Sequence, residues 1–99
     1  MLFFFFLLFS ENLLEKGDRL FTLNCSVCHQ GGNNFIIPEK NLKEQTLEAN
    51  GMNSKMAISY QIRNGKNGMP AFGDRLTKKE IELISDYILF EAKNNFEKD

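Results

Sequence analysis

The chain has 99 residues, of which 42% are hydrophobic and 25% charged, a length and composition typical of one globular domain. Its 12 basic and 13 acidic side chains give a formal net charge of −1, which excludes the basic excess of a nucleic-acid-binding protein. With two Cys and one His, the chain also lacks the ligands for any site that needs several of either.

The first ten residues differ from the rest. Residues 1–9 are all apolar and include five of the ten Phe, and polar residues begin at Ser10. As a helix this run would span about 13 Å, less than half of a hydrocarbon core of about 30 Å, so it cannot cross a bilayer alone. We interpret residues 1–10 as a shortened export signal, although no Lys or Arg precedes the run and no small-x-small cleavage motif follows. The alternatives are an element buried in the fold and a retained interfacial anchor.

Residues 11–99 are predicted to form one all-α domain, because no alternating strand pattern follows residue 10. No stable membrane insertion of this domain is expected. A first helix is predicted over 12–26, opened by a capping box of Asn12 and Glu15. Helical spacing predicts that the broad face of this helix carries Leu13, Gly17, Leu20, Phe21 and Asn24.

Three further helices are predicted. A short one over 40–50 ends at Gly51, and one over 55–63 is capped by Ser54. A terminal helix, ending near Lys93, begins at a second capping box of Thr77 and Glu80. Its expected buried side consists of Ile81, Ile84, Tyr87, Ile88 and Ala92.

The sequence C-x-x-C-H at Cys25, Cys28 and His29 is the pattern for covalent attachment of a c-type haem. Two thiols at this spacing can bond to the vinyl groups on one side of a porphyrin, and the adjacent His can reach the iron. Three alternatives compete with a haem. A disulfide would constrain little of the unfolded chain, a thioredoxin-like pair normally opens a helix, and zinc would lack further Cys or His ligands. We therefore expect one covalently bound haem c with its iron.

The sixth iron ligand decides what such a haem does, and Met is expected because the chain has no second His. Met52 and Met56 lie in or near predicted helices, where Met usually fills gaps in a core. Met69 stands 40 positions after His29 in an irregular segment, whose Gly and Pro can hold a side chain toward a fixed point. Ligation by His29 and Met69 is typical of an electron carrier and not of an enzyme.

Three segments resemble the cytochrome c6 family, and the similarity extends over about residues 12–93. CSVCHQGGNN at 25–34 and YQIRNGKNGMPAFGDRL at 60–76 are more specific than C-x-x-C-H alone, and LKEQTLEAN at 42–50 adds to them. The resemblance implies a class I cytochrome c fold of about four short helices around the haem. The haem-binding residues that it implies are Cys25 and Cys28 as thioether residues and His29 and Met69 as axial ligands. It also implies that the first and last helices cross through Gly17, Phe21, Ile84 and Tyr87.

The resemblance further implies a carrier in the thylakoid lumen of a plastid or cyanobacterium, which docks transiently with cytochrome f of the b6f complex and with photosystem I. Lys66 would then neutralise a haem propionate and Arg75, with Arg63 nearby, would guide docking; ordinary solvated charge is the alternative for all three. Gly68 and Asp74 depart from the family, which commonly has Ala and Gly there. The alternative functions are a bacterial periplasmic cytochrome that feeds an oxidase and a haem sensor or enzyme with a labile sixth ligand.

Overall fold

The computed structural model describes residues 11–97, so the apolar segment 1–10 lies outside the described residues. This part of the chain consists of five α-helices and two 3₁₀ turns and contains no β-strand, which confirms the all-α prediction. None of its helices has the length and apolar character needed to span a bilayer. The helices, in chain order, are α1 (Leu13–Asn24), α2 (Ser26–His29), α3 (Glu44–Ala49), α4 (Lys55–Asn64) and α5 (Lys78–Lys93), and the 3₁₀ turns are Gln30–Gly32 and Pro38–Lys40.

Polar caps determine where three helices begin. At α1 the Asn12 side chain accepts from the Glu15 backbone N–H at 2.8 Å, and the Glu15 carboxylate accepts from the Asn12 N–H at 3.0 Å. Thr77 and Glu80 form the same reciprocal pair at α5, with distances of 3.1 and 2.8 Å. Ser54 caps α4 through one bond to its side-chain oxygen. All three predicted caps are therefore confirmed.

The first helix is shorter than the predicted 12–26 because the chain bends at Cys25. Helix α1 ends at Asn24, and Cys25 has φ −120° and ψ −26°, outside helical geometry. The His29 backbone N–H then bonds to the Cys25 carbonyl at 2.9 Å, which closes a new turn. The C-x-x-C-H residues thus form a helical turn of their own, α2, and this turn accounts for the fifth helix where about four were expected.

Helices α1 and α5 cross closely because Gly17 has no side chain. A Cβ on Gly17 would lie 2.5 Å from the Leu83 carbonyl oxygen and 2.9 Å from the Tyr87 Cβ. One turn further, the Phe21 and Tyr87 ring centroids are 5.3 Å apart, and Ile84 between these contacts is completely buried. The packing expected at this crossing is confirmed.

The faces predicted for α1 and α5 are buried except at Leu13, which is exposed, and Asn24, which is half-buried. All five residues expected on the buried side of α5 are buried, as are Gly17, Leu20 and Phe21 of α1. Leu13, however, is 64% exposed, because it is the first residue of α1 and lies one turn before the close approach at Gly17.

Helix α4 packs against α5 through an apolar interface that encloses a pair of hydroxyls. The hydroxyls of Ser59 and Ser85 are buried and lie 2.8 Å apart. Ser85 donates to the Ile81 carbonyl at 2.9 Å, so Ser59 is the donor between the two hydroxyls. Ile58 and Ile62 bury the neighbouring positions of α4, so this hydroxyl pair is enclosed by apolar side chains.

Candidate haem-binding site

A cavity of about 230 Å³ lies between α1, α2, α4 and the segment before α5. It brings together all four residues predicted to bind the cofactor, although they come from two distant parts of the chain. These residues are Cys25, Cys28, His29 and Met69. Most of the remaining surface is apolar, and it includes Phe21, Leu47, Ile58, Ile62, Phe72 and Ile88. The cavity therefore offers an apolar enclosure with thiol, imidazole and thioether groups along its wall.

The two cysteines line the cavity as free thiols, with Cys25 buried and Cys28 half-buried. Burial, with a smaller effect from the nearby Cys28, raises the pKa of the Cys25 thiol to about 12. A thioredoxin-like pair needs the opposite, a thiol with a lowered pKa. Within residues 11–97 no group of three or more His, Cys, Asp or Glu side chains is arranged to hold a metal ion. Both observations favour covalent attachment over the redox-pair and zinc alternatives.

The ring of His29 is oriented by the loop that follows it. Its Nδ1 lies 2.8 Å from the backbone carbonyl oxygen of Asn33, and a carbonyl can only accept, so Nδ1 carries the proton. Nε2 is then the unprotonated nitrogen, the form in which imidazole binds a metal. Burial lowers the pKa of His29, against a smaller raising effect of the bond to Asn33. The ring is therefore neutral at neutral pH, as ligation requires.

Met69 lies at the end of a tight two-residue turn. The backbone groups of Lys66 and Met69 bond to each other in both directions, at 3.0 and 2.9 Å, and Asn67 within the turn has φ +55°. The preceding Gly65 has φ +69°, and a Cβ there would lie 2.6 Å from the Met69 carbonyl oxygen. The turn and this close approach hold Met69 at the cavity wall.

Gln61 of α4 is a site residue that the sequence analysis did not single out. Its side-chain Nε2 donates to the Met69 sulfur at 3.8 Å, a weak bond typical of a thioether acceptor. The contact joins a helix to a loop eight positions later, so no helical periodicity marks it. The one signal in the sequence is that Gln61 lies inside the segment 60–76, on which the resemblance depends.

Known proteins resemble this chain over nearly all of the described part. A family model described as "Cytochrome C oxidase, cbb3-type, subunit III" matches residues 12–88. Cytochrome c6 of Bumilleriopsis filiformis is 54% identical over 84 residues, which cover 85% of this chain and 98% of that protein. Cytochrome c6 of Pyropia tenera is 49% identical over 83 residues, 84% of this chain and 98% of that one. The chain belongs to the cytochrome c6 family.

Solved structures show the same family relationship in the fold. Cytochrome c6 from the diatom Phaeodactylum tricornutum superimposes with a TM-score of 0.81 at 38% identity, covering 87% of this chain and 99% of that one. Oxidised cytochrome c6A from Arabidopsis thaliana superimposes with a TM-score of 0.80 at 28% identity, covering 88% and 97%. The class I cytochrome c fold expected from the sequence is therefore confirmed.

Haem c, bound covalently and containing iron, is the cofactor of the cytochrome c6 family, and the cavity fits it. Two free thiols stand at the attachment spacing, His29 presents an unprotonated Nε2, and the wall is mostly apolar. When bound, haem c supplies an iron that exchanges one electron at a time. Both the family and the chemistry of the cavity thus indicate a c-type cytochrome that carries electrons.

The other two methionines near the site differ in environment. Met52 is half-buried and lines the cavity, but its backbone N–H bonds to the Leu47 carbonyl at 2.7 Å, where it helps to close α3. Met56 is 83% exposed and lies along a separate groove on the outer side of α4. Of Met52, Met56 and Met69, only Met69 is held at the cavity wall by a tight turn of its own.

The mouth of the cavity has an apolar rim with cations nearby. Val27, 82% exposed, and Ile36 line the cavity, and Ile36 also faces Gly68 of the turn that holds Met69. Lys66 lines the cavity as well. The Arg75 guanidinium stacks 4.4 Å from the Phe72 ring centroid.

Arg63 lies on the same side as Arg75. A Cβ on Gly73 would lie 3.0 Å from the Cγ of Arg63, so this exposed side chain runs along the segment between Phe72 and Arg75. Lys66 is thus part of the turn that holds Met69, and Arg63 and Arg75 lie against the segment 71–73 that follows it.

Proposed function

We propose that Cys25 and Cys28 attach haem c through thioether bonds and that His29 and Met69 are its axial ligands. The observation that carries this proposal is the meeting of all four side chains at one apolar cavity, with the Nε2 of His29 left unprotonated by the bond to Asn33. Buried residues such as Phe21 and Phe72 exclude water from the ligands and favour a single geometry.

Attachment is tested by expressing the protein with a haem-attachment system and extracting it with acidic acetone. The haem stays with the wild-type chain and is released from a variant that carries both Cys25→Ala and Cys28→Ala. Release from the wild type contradicts the thioether assignment.

The sixth ligand is tested separately with Met69→Ala, which is expected to bind carbon monoxide or cyanide and to lose the ferric Met–iron charge-transfer band. Met52→Ala and Met56→Ala are the matched controls and retain the band; loss of the band in either one transfers the role to that Met.

We infer further that the protein is a one-electron carrier and not an enzyme. Two protein side chains as iron ligands leave no coordination site for a substrate. Electron transfer without substrate binding at the iron is then the chemistry that remains. Residues 11–99 are the carrier domain, and residues 1–10 are the export signal that directs it to its compartment.

The route that we propose runs from cytochrome f of the b6f complex to photosystem I, in the thylakoid lumen. Support comes from relatives named cytochrome c6 and from a rim that combines exposed Val27 and Ile36 with the nearby Lys66 and Arg75. An apolar contact area with charges around it favours fast and weak docking, as a mobile carrier needs. Lys66 contributes by facing a propionate, and Arg63 and Arg75 contribute by steering.

Laser-flash kinetics with isolated photosystem I test this route. We expect rapid reduction of the photo-oxidised reaction centre, with a rate that changes strongly between low and high salt. Arg75→Gln should reduce the low-salt rate more than the high-salt rate, whereas Lys93→Gln, at the end of α5, serves as the control cation. A rate that is insensitive to salt contradicts steering by these groups.

A terminal oxidase is the second candidate acceptor, because the matching family model is described as a subunit of a cbb3-type oxidase. The same reduced protein, mixed with a purified c-type cytochrome oxidase, separates the two routes. Faster oxidation by the oxidase than by photosystem I would favour a periplasmic respiratory carrier.

A further inference from the structure

The segment after α5 turns back and buries an aromatic ring. Asn95 and Phe96 both adopt left-handed backbone conformations, with φ +57° and φ +54°, which non-glycine residues rarely adopt. The Phe96 N–H donates to the Glu91 carbonyl at 2.8 Å, and its side chain is only 3% exposed. Asn tolerates this conformation just after a helix, but a bulky Phe keeps it only where packing determines it, so packing fixes the position of Phe96.

The Phe96 ring lies directly against the loop that follows the C-x-x-C-H residues. A Cβ on Gly32 would lie 2.5 Å from the Phe96 Cδ1 and 2.8 Å from its Cγ, so the ring is in contact with the Gly32 backbone. The Phe96 ring also lies near α1, where the Phe21 ring centroid is 6.3 Å from that of Phe96. Phe96 therefore fills the space between α1 and this loop.

Lys43 holds the same loop from the other side. Its Nζ donates to the Gly31 carbonyl at 2.9 Å and lies 5.7 Å from the Phe96 ring centroid, within the range of a cation–π contact. The next carbonyl, that of Gly32, accepts from the Leu42 backbone N–H at 2.7 Å. Both glycine carbonyls thus accept hydrogen bonds, which fix the backbone of Gly31 and Gly32.

The residue that follows this pair is Asn33, whose carbonyl accepts the Nδ1 proton of His29. We propose that Phe96 and Lys43 are positioning residues for His29, which act by fixing the Gly31–Gly32 backbone so that the Asn33 carbonyl keeps its bond to the imidazole. The inference rests on the proposed role of His29 as a haem ligand.

A carbonyl that accepts from Nδ1 orients the imidazole and increases its donation through Nε2. Loosening of the loop would lengthen this bond and weaken that donation. The ferric state, which depends more on electron donation than the ferrous state, would lose more stabilisation, so the midpoint potential would rise. The Nδ1 proton would also exchange faster with solvent.

The experiment uses the ferrous holoprotein, in which the Nδ1 proton of His29 is observed by proton NMR. Phe96→Leu removes the aromatic ring, and Lys43→Met removes the donor to Gly31 while it keeps the apolar stem. We expect exchange to become about tenfold faster in both variants, because local opening becomes easier. The midpoint potential should rise in both. Lys43→Arg, which retains a cationic donor, should restore both values.

Phe90→Leu is the matched control, since Phe90 lies on α5 and is 48% exposed. It should leave exchange and potential at wild-type values. Phe96→Leu with wild-type exchange and potential, and only a lower melting temperature, would overturn the proposal, as would an equal effect of Phe90→Leu. If Phe96→Leu does not fold, Lys43→Met decides, because it leaves the core intact. A wild-type Nδ1 signal without the large haem-induced shift would instead contradict His29 as ligand, and with it the proposed function.

Discussion

The side-chain nitrogen of Gln61 lies 3.8 Å from the sulfur of Met69. With Met69 as the proposed sixth ligand, a donor at this position would withdraw electron density from the sulfur and make it a weaker ligand for ferric iron. Gln61→Leu should therefore lower the midpoint potential by tens of millivolts, since a hydrogen bond worth ~1 kcal/mol corresponds to about 40 mV for one electron. Potentiometric titration measures the shift. Gln45→Leu, at an exposed position of α3, is the control, and an unchanged potential in Gln61→Leu would show that the bond has no influence on the iron.

The two glycines on either side of Lys66 and Asn67 should respond oppositely to Ala. Gly65→Ala places a Cβ 2.6 Å from the Met69 carbonyl oxygen at a residue with φ +69°, so we expect a loss of roughly 1–3 kcal/mol. Gly68→Ala places its Cβ 3.5 Å from the Ile36 Cγ2, an ordinary contact, and should gain about 0.4–1 kcal/mol by restricting the unfolded chain. Thermal unfolding of the holoproteins gives both values, and the charge-transfer band should weaken in Gly65→Ala alone. Equal effects of the two substitutions would contradict this assignment of the turn.

The crossing of α1 and α5 should not tolerate a side chain at Gly17. The atom nearest to an added Cβ is a backbone oxygen of Leu83, which cannot move without moving α5. Gly17→Ala should destabilise the fold by about 1–3 kcal/mol, as overpacking does, measured by denaturant unfolding of the holoprotein. Leu13→Ala on the same helix should stay within about 0.5 kcal/mol of wild type, because Leu13 is largely exposed. A larger cost at Leu13 than at Gly17 would place the crossing elsewhere.

The second capping box should make the stability of α5 depend on pH. The backbone N–H of Thr77, with smaller contributions that include the charges of Lys16 and Arg19, lowers the pKa of Glu80 below 4.5. A lowered folded-state pKa gives stability that is present above the unfolded value of 4.5 and is lost as the pH falls through the folded pKa. Glu80→Gln keeps a capping acceptor but does not titrate.

The thermal midpoint of the holoprotein should therefore exceed that of Glu80→Gln at neutral pH, and the difference should shrink as the pH falls below 4.5. Glu82→Gln, which lies outside the capping box on the same helix, is the control for a general loss of negative charge. A difference between wild type and Glu80→Gln that stays constant across this range would contradict the capping role of the carboxylate.

Local signals in the sequence were sufficient for much of the fold. The caps at Asn12, Thr77 and Ser54 depend on bonds within four residues, and the buried side of α5 follows from spacing alone. The break at Cys25 was not predictable in this way, because neither Gly nor Pro marks it. Leu13 matched the periodic face of α1 but is exposed, since periodicity does not show where a neighbouring helix ends.

Residue types alone were enough to propose His29 and Met69, and the structure places both at one cavity. The residues that hold these two in place were not predictable. Gln61, Lys43 and Phe96 act through contacts that span 8, 12 and more positions, and no short motif marks them. Only the packed structure shows which of many polar or aromatic side chains reaches a ligand or the loop beside it.

The hydroxyl bond between Ser59 and Ser85 is a buried polar contact between α4 and α5, which are also joined at the surface by the ion pair of Lys55 and Asp86. If α4 slid along α5 by a single residue, the Ser59 hydroxyl would lose this partner in an apolar environment, which costs about 1–3 kcal/mol. Ser85 would keep its bond to the Ile81 carbonyl. The hydroxyl pair therefore favours one register of α4 against α5. Gln61 follows Ser59 by two residues on α4, so the same register also determines where the Gln61 amide meets the Met69 sulfur.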